Sequence, residues 1–190
     1  MLIKRILKNT NQSYGLVSRT FHWLTAVVVM GLFCLGWWMV DLTYYSNWYK
    51  TAPNIHRSIG ILLAILVTVR LLWRFKNLEP EPLSTHKPWE IKTARFVHRI
   101  LYAMLFFMFI SGYLISTAKG QPIDVFNWFS VPVIVTGDEM GIKNLEDKVG
   151  EVHEILAYIL ITLASAHALA ALKHHFIDKD STLRRMIGKD

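Results

Sequence analysis

Four apolar runs punctuate this chain, at about residues 20–40, 58–75, 96–117 and 152–173, separated by segments rich in charge, proline and aromatic residues. Each approaches the roughly 20 residues that a helix needs to cross a hydrocarbon layer. From Phe21 to Val40 there is no Asp, Glu, Lys or Arg in twenty positions. The second run meets Arg70 and Arg74 in its last turns, where long aliphatic stems let the charge snorkel or reach an acidic group. The pattern predicts an all-α integral membrane four-helix bundle, one domain over residues 1–190, with 118–151 as an outer loop. The apolar section Val125–Val135 of that loop is too short to span and is expected either to lie at the interface or to cap the outer site. A cleaved signal peptide does not fit, because the first run starts late, is too long and lacks a small-residue cleavage site.

Charge refines the topology. The formal net charge is +7, which could suggest nucleic acid, but the basic residues are not spread at random. Sixteen of the twenty-one lie before the first run, in or between the facing ends of the second and third, or at and beyond the end of the fourth. The other two connections hold Lys50, Arg57, Lys119, Lys143 and Lys148. Four spans place the three basic segments on one side, and the positive-inside rule makes that side cytoplasmic. Both termini are therefore expected on the cytoplasmic side, with 118–151 on the opposite side, and no nucleic-acid partner is implied. Trp37, Trp38, Tyr44, Tyr45, Trp48 and Tyr49 form the aromatic belt expected at the outer interface.

Histidines supply the candidate chemistry. The fourth run carries His153 and His167, fourteen residues apart, or about 21 Å along a helix. At about 100° per residue they return to nearly the same face. The stripe between them reads Ala157, Leu160, Ala164, and it continues to Ala171 and His174. An ionisable group within a membrane span is costly enough to be read first as functional. Two imidazoles at two depths, with little bulk between them, suit a helix that ligates two stacked haems. The other runs supply partners: His22 at the inner level for His167, and His56 at the outer level for His153. Gly36 lies fourteen residues from His22 and Gly112 fourteen from His98, while Gly60 lies one turn from His56. These glycines read as clearance for a macrocycle. Arg70, fourteen residues after His56, is suited to a haem propionate because its guanidinium binds carboxylates bidentately. His98 shares the inner level and could replace His22 or His167, although a supporting role is preferred. His174 reads as a quinone partner, a proton relay or an inert interfacial residue. His86 and His175 read as solvated.

Other chemistries are poorly served. Histidines about 21 Å apart along one helix cannot converge on one zinc ion. The single cysteine, Cys34, excludes an intramolecular disulfide, and there is no C-x-x-C-H for covalent haem attachment. Any haem is therefore b-type. There is no phosphate loop and no nucleophile paired with a base.

Four spans, histidines early in the first and second, and H-x13-H on the fourth resemble the bacterial cytochrome b561 family. So do FHWL at 21–24, HRSIGILL at 56–63 and the ending HALAALKHHFIDKDSTLRRM. The chain is similar, too, to cytochrome b subunits of nickel-iron hydrogenases and formate dehydrogenases. The resemblance covers essentially the whole chain and implies two haems b, on His22 with His167 and on His56 with His153. It also implies a quinone beside the inner haem, near His174, His98 and Arg70 or Arg74. The function it implies is transmembrane electron transfer between a periplasmic donor and the quinone pool. A superoxide:ubiquinone oxidoreductase is one such possibility, since one relative is a superoxide oxidase. The five basic residues of the outer connections face eight acidic ones, so the overall field would not steer an anion there, though a local patch at Arg57 and Lys119 could. The rival reading is a haem-bearing anchor and relay subunit for a periplasmic dehydrogenase or hydrogenase. Expected partners are the bilayer, quinone, and a periplasmic redox protein or superoxide, with a homodimer left open.

Overall fold

The computed structural model describes residues 6–188. Four long helices dominate: α1 (Leu16–Met39), α2 (Thr51–Lys76), α3 (Pro88–Thr117) and α4 (Leu145–Phe176). All four are long and apolar enough to cross a membrane. A short hairpin, β1 (Ile123–Val125) with β2 (Phe129–Val131), lies between α3 and α4, and α5 (Thr182–Ile187) follows α4.

The helices outrun the apolar runs at their polar flanks. α2 begins at Thr51 rather than near 58, α3 at Pro88 rather than 96, and α4 spans Leu145–Phe176 rather than 152–173. Hydropathy marks only what is apolar, whereas helix ends also tolerate charge that complements the backbone dipole. Glu146 and Asp147 occupy the first turn of α4, and Lys173, His174 and His175 its last. At the start of α3, Pro88 sits in the first turn, where it forgoes no helical hydrogen bond. Glu90 reaches back to accept the Lys87 amide proton at 2.9 Å, the reciprocal half of a capping box. The connection before α4 is shortened accordingly, to 118–144.

Lipid-facing character shows in what is exposed. Val27, Trp37, Phe107, Ile155 and Leu169 are all more than half exposed, the reverse of a water-soluble core. Small hydroxyl residues turn inward instead: Thr25, Ser58, Ser111 and Thr117 are buried. Thr25 and Thr117 satisfy their hydroxyls on the carbonyls of Phe21 and Tyr113, four residues back, at 2.6 and 2.9 Å.

The chain divides into two compact units. One comprises the segment up to Ala26, Leu66–Tyr102, and the segment from Thr162 onward. In it the N-terminal segment pairs with the α2–α3 connection, the Glu81 amide donating to Asn11 O at 2.8 Å. α5 is tied to α1 by Trp23 Nε1, which donates to Met186 O at 2.9 Å. Gly15 precedes α1 because a Cβ there would lie 2.4 Å from the Leu7 carbonyl oxygen.

The other unit comprises Val27–Ile65 and Ala103–Ile161. Its hairpin pairs Ile123 with Val131 and Val125 with Phe129. The turn residues Phe126 and Asn127 both have positive φ, 48° and 58°, which matches the twist that hairpins prefer. Buried Ser58 pins the hairpin to α2: its hydroxyl donates to Asp124 O and accepts from the Phe126 amide, both at 3.3 Å. The apolar section 125–135 thus begins at the last residue of β1 and contains β2, next to residues bonded to Ser58.

Candidate functional site

Two histidine pairs stand out, one in each unit. In the Val27–Ile65/Ala103–Ile161 unit, the rings of His56 and His153 have centroids 6.4 Å apart and planes inclined at 72°. In the other unit, His22 and His167 stand 6.3 Å apart with planes at 67°. A metal–imidazole bond of about 2 Å plus a centroid-to-nitrogen distance of about 1.2 Å places two trans imidazoles about 6.4 Å apart. Both pairs have that separation. The residues present therefore fit a group whose metal would be held between two imidazoles, as haem iron can be.

The surroundings of His56 and His153 are small and neutral. A Cβ at Gly36 would lie 3.2 Å from His56 Cε1, and one at Gly112 would lie 3.3 Å from His153 Cε1. Both glycines thus admit an imidazole directly, whereas a Cβ at Gly60 would meet nothing within 4 Å. Ser111 Oγ is 3.1 Å from Met108 O and 2.8 Å from His153 Nδ1. A hydroxyl has one proton. Given to the Met108 carbonyl, it leaves Oγ to accept the Nδ1 proton, so Nε2 carries the lone pair that a metal needs. His56 Nδ1 is buried and has no hydrogen-bond partner among the described residues.

The surroundings of His22 and His167 are crowded and cationic. Arg70 Nη2 donates to His22 Nδ1 at 3.0 Å, since a guanidinium has no acceptor. The Arg70 guanidinium also lies over the Tyr102 ring, 5.4 Å from its centroid. A third imidazole, His98, stands 5.2 Å from that of His167. Arg74 is committed elsewhere, in an ion pair with Glu79 at 2.9 Å.

At the end of α4 the expectation for two histidines fails. His86 was expected in solvent, but its Nε2 is 3.1 Å from both Asp180 Oδ2 and Thr182 Oγ1. Its side chain is only 17 % exposed. His175 Nδ1 is likewise buried, with its ring 4.8 Å from that of Phe176. His174 Nδ1 faces the carboxylates of Asp178 at 2.8 Å and Asp180 at 3.0 Å. Burial alone would raise the Asp180 pKa, but hydrogen bonds from Thr182 and His86 hold the carboxyl below its ordinary value. Sequence reasoning missed Ser111, Asp180 and Thr182. Ser111 had a signal, a hydroxyl beside Gly112 in an apolar run, whereas Asp180 and His86 meet across 94 positions of sequence.

On the loop side of the other unit, Lys119 is paired with Glu146 at 2.6 Å. That hydrogen bond, with the carboxylate's charge, raises the lysine pKa. Of the two cations expected to form a local patch, Lys119 is thus already neutralised.

A family model described as prokaryotic cytochrome b561 matches residues 13–189. The chain is similar to cytochrome b561 homolog 2 of Escherichia coli K12, 49% identical over 95% of this chain and 94% of the relative. It is 27% identical to the probable superoxide oxidase CybB of Yersinia pestis, over 94% of this chain and 98% of that protein. Cytochrome b561 homolog 1 of E. coli K12 is 28% identical, over 88% and 93% of the two chains.

Proposed function

We propose that this chain, which belongs to the prokaryotic cytochrome b561 family, carries two haems b and moves single electrons between a periplasmic donor and the membrane quinone pool. Membership itself establishes membrane electron transfer and implies b-type haem. The number of haems, their ligands and both redox partners are the further reading. The observation that carries it is the recurrence of one separation, 6.3 and 6.4 Å, in two histidine pairs.

Haem supplies the one-electron chemistry; the chain supplies the ligands and their setting. His22 with His167, and His56 with His153, would hold the metal, and two imidazole ligands on one iron would favour electron transfer over binding of a gas. Ser111 fixes the tautomer of His153. Gly36 and Gly112 let the rings of His56 and His153 stand against a helix backbone. Ligation by His22 through Nε2 would put a proton on its Nδ1 and turn Arg70 away, freeing a bidentate donor for a propionate. The His98 ring stands 5.2 Å from that of His167, closer than the 6.3 Å between the rings of His22 and His167, which supports a flanking role. Beside His167 it is also the best-placed contact for quinone, because Arg74 and His174 already have carboxylate partners. The asymmetry of basic residues supports an inner-membrane location with both termini cytoplasmic.

Superoxide is the narrower donor hypothesis. It draws on the relative named probable superoxide oxidase, while pairing of Lys119 with Glu146 leaves Arg57 as the exposed cation near His56. Superoxide-driven quinone reduction no faster than the uncatalysed background would remove it. The general reading is tested by haem per polypeptide and a reduced-minus-oxidised spectrum of the purified chain. Two non-covalent low-spin haems are expected; one or none would remove the two-haem conduit.

A further inference from the structure

His86, His174 and Asp180 come from three separate places: the α2–α3 connection, the last turn of α4, and the segment after it. One donor atom from each lies within 4.8 Å of the other two. Asp180 Oδ2 is the centre, 3.1 Å from His86 Nε2 and 3.0 Å from His174 Nδ1. In a tetrahedral site with bonds of about 2.0 Å, ligand atoms lie about 3.3 Å apart, so both nitrogen–oxygen edges are close to that spacing. The rings stand 4.8 Å apart, inclined at 46°.

The carboxylate is presented deliberately. Lys179, immediately before it, has φ of 56°, a left-handed conformation that a lysine adopts only at a cost. The Asp180 amide donates to His174 O at 3.1 Å, and Asp180 Oδ1 accepts the Thr182 amide proton at 2.8 Å. That leaves Oδ2 aimed at the two imidazoles, with a side chain only 5 % exposed. A neighbouring cluster, Glu90, His174 and Asp178, has a different balance. Lys173 Nζ sits 2.6 Å from Asp178 and 3.5 Å from Glu90, so a cation already neutralises those carboxylates. No lysine or arginine pairs with Asp180 among the described residues.

We propose that His86 Nε2, His174 Nδ1 and Asp180 Oδ2 bind a divalent transition-metal ion of the zinc class, separate from the haem ligands. Two imidazoles and one carboxylate favour zinc-like ions over magnesium or calcium. Thr182 fixes the carboxylate from outside, as supporting residues in metal sites do. Asp178 Oδ2 lies 2.8 Å from His174 Nδ1 but is held by Lys173 Nζ at 2.6 Å, and Thr182 Oγ1 lies 3.1 Å from His86 Nε2. The ion would clamp the α2–α3 connection to the segment after α4.

The test uses the full haem-loaded chain in detergent, stripped with a chelator and titrated with zinc chloride by calorimetry. Zinc retained after desalting is also counted. The expected result is one zinc per chain, with affinity at least tenfold weaker in Asp180→Asn and in His86→Gln at unchanged haem spectrum. Zinc-edge X-ray absorption on the wild-type chain should show imidazole scattering in the first shell, and this needs no variant to fold. Equal zinc uptake by wild type and variants, or a shell without imidazole scattering, would mean a hydrogen-bonded cluster only and overturn the site.

Discussion

Around His56 and His153 the neighbours are small or uncharged: Gly36, Gly112 and the Ser111 hydroxyl. Around His22 and His167 they are large and cationic: Arg70 against His22 Nδ1, the third imidazole of His98, and Tyr102 beneath the guanidinium. The two pairs nevertheless hold their rings at nearly the same separation. On the proposed two-haem reading, the common pair geometry would serve what is bound, and the differing surroundings would set how readily each site takes an electron. A fixed positive charge favours the reduced form, so the proposed haem site beside Arg70 is expected to have the higher potential.

The most severe way to break this comparison is to remove one ligand from each pair. His153→Ala and His167→Ala are each expected to retain about half the wild-type haem, since each loses one of two axial ligands. His98→Ala is expected to keep both haems. Pyridine haemochrome per polypeptide measures all three. Loss of a full haem in His98→Ala would move the third imidazole into the ligand set and end the equivalence of the pairs.

A subtler break acts through the glycines. A Cβ at Gly36 or Gly112 already falls 3.2 or 3.3 Å from an imidazole carbon, and a branched side chain adds atoms with nowhere to go. Gly36→Val and Gly112→Val are expected to lose the His56/His153 haem while keeping the other. Gly60→Ala, with nothing within 4 Å of its new Cβ, should keep both. Equal haem contents in all three would show that the close approaches do not matter.

These residues also mark how far sequence could see. The histidine stripe on α4 was legible because helical periodicity is local, and the four apolar runs located the helices to within a turn or two of flanking polar residues. The glycines were visible as a spacing, yet what faces them depends on packing between helices: Gly36 of α1 meets His56 of α2. Ser111 carried only a weak signal, its place beside Gly112, because a hydroxyl residue in an apolar run more often bonds its own helix backbone alone, as Thr25 does. The hairpin at 123–131 carries no Asn-Gly or Asp-Gly signal, and its turn is Phe126-Asn127. His86 was misread because a histidine in a proline-rich connection shows no periodicity, and its partners lie on the far side of the sequence.

Electrostatics sharpens the contrast without breaking it. Arg70→Gln removes a positive charge from one pair alone. The midpoint potential of the His22/His167 haem is expected to fall by about 60 mV, one tenfold change in a one-electron equilibrium, while that of the other haem stays put. Potentiometric titration of the two components decides this. A shift in both potentials, or in neither, would show that the charge around His22 does not distinguish the sites.

The smallest effect is expected at Ser111, where the other pair has its own tuning device. A histidine that donates its Nδ1 proton to a hydrogen-bond acceptor is a more basic ligand at Nε2 and favours the oxidised metal. Ser111→Ala removes the acceptor 2.8 Å from His153 Nδ1 without touching the ring or the clearance at Gly112. Haem content should stay at the wild-type level, and the His56/His153 potential should rise by less than the fall expected for Arg70→Gln. The hydroxyl is neutral and the carbonyl of Met108, 3.1 Å from it, can accept part of the freed proton. The two substitutions then act in opposite directions on different haems, each narrowing or inverting the gap from its own side. A double variant should show each shift unchanged, because Arg70 contacts His22 and Tyr102 whereas Ser111 contacts His153 and Met108, and sites with no shared partner tend to act independently. Strong non-additivity would mean that the two pairs share one electrostatic environment, and that the contrast between a charged and a neutral site describes their neighbours but not their potentials.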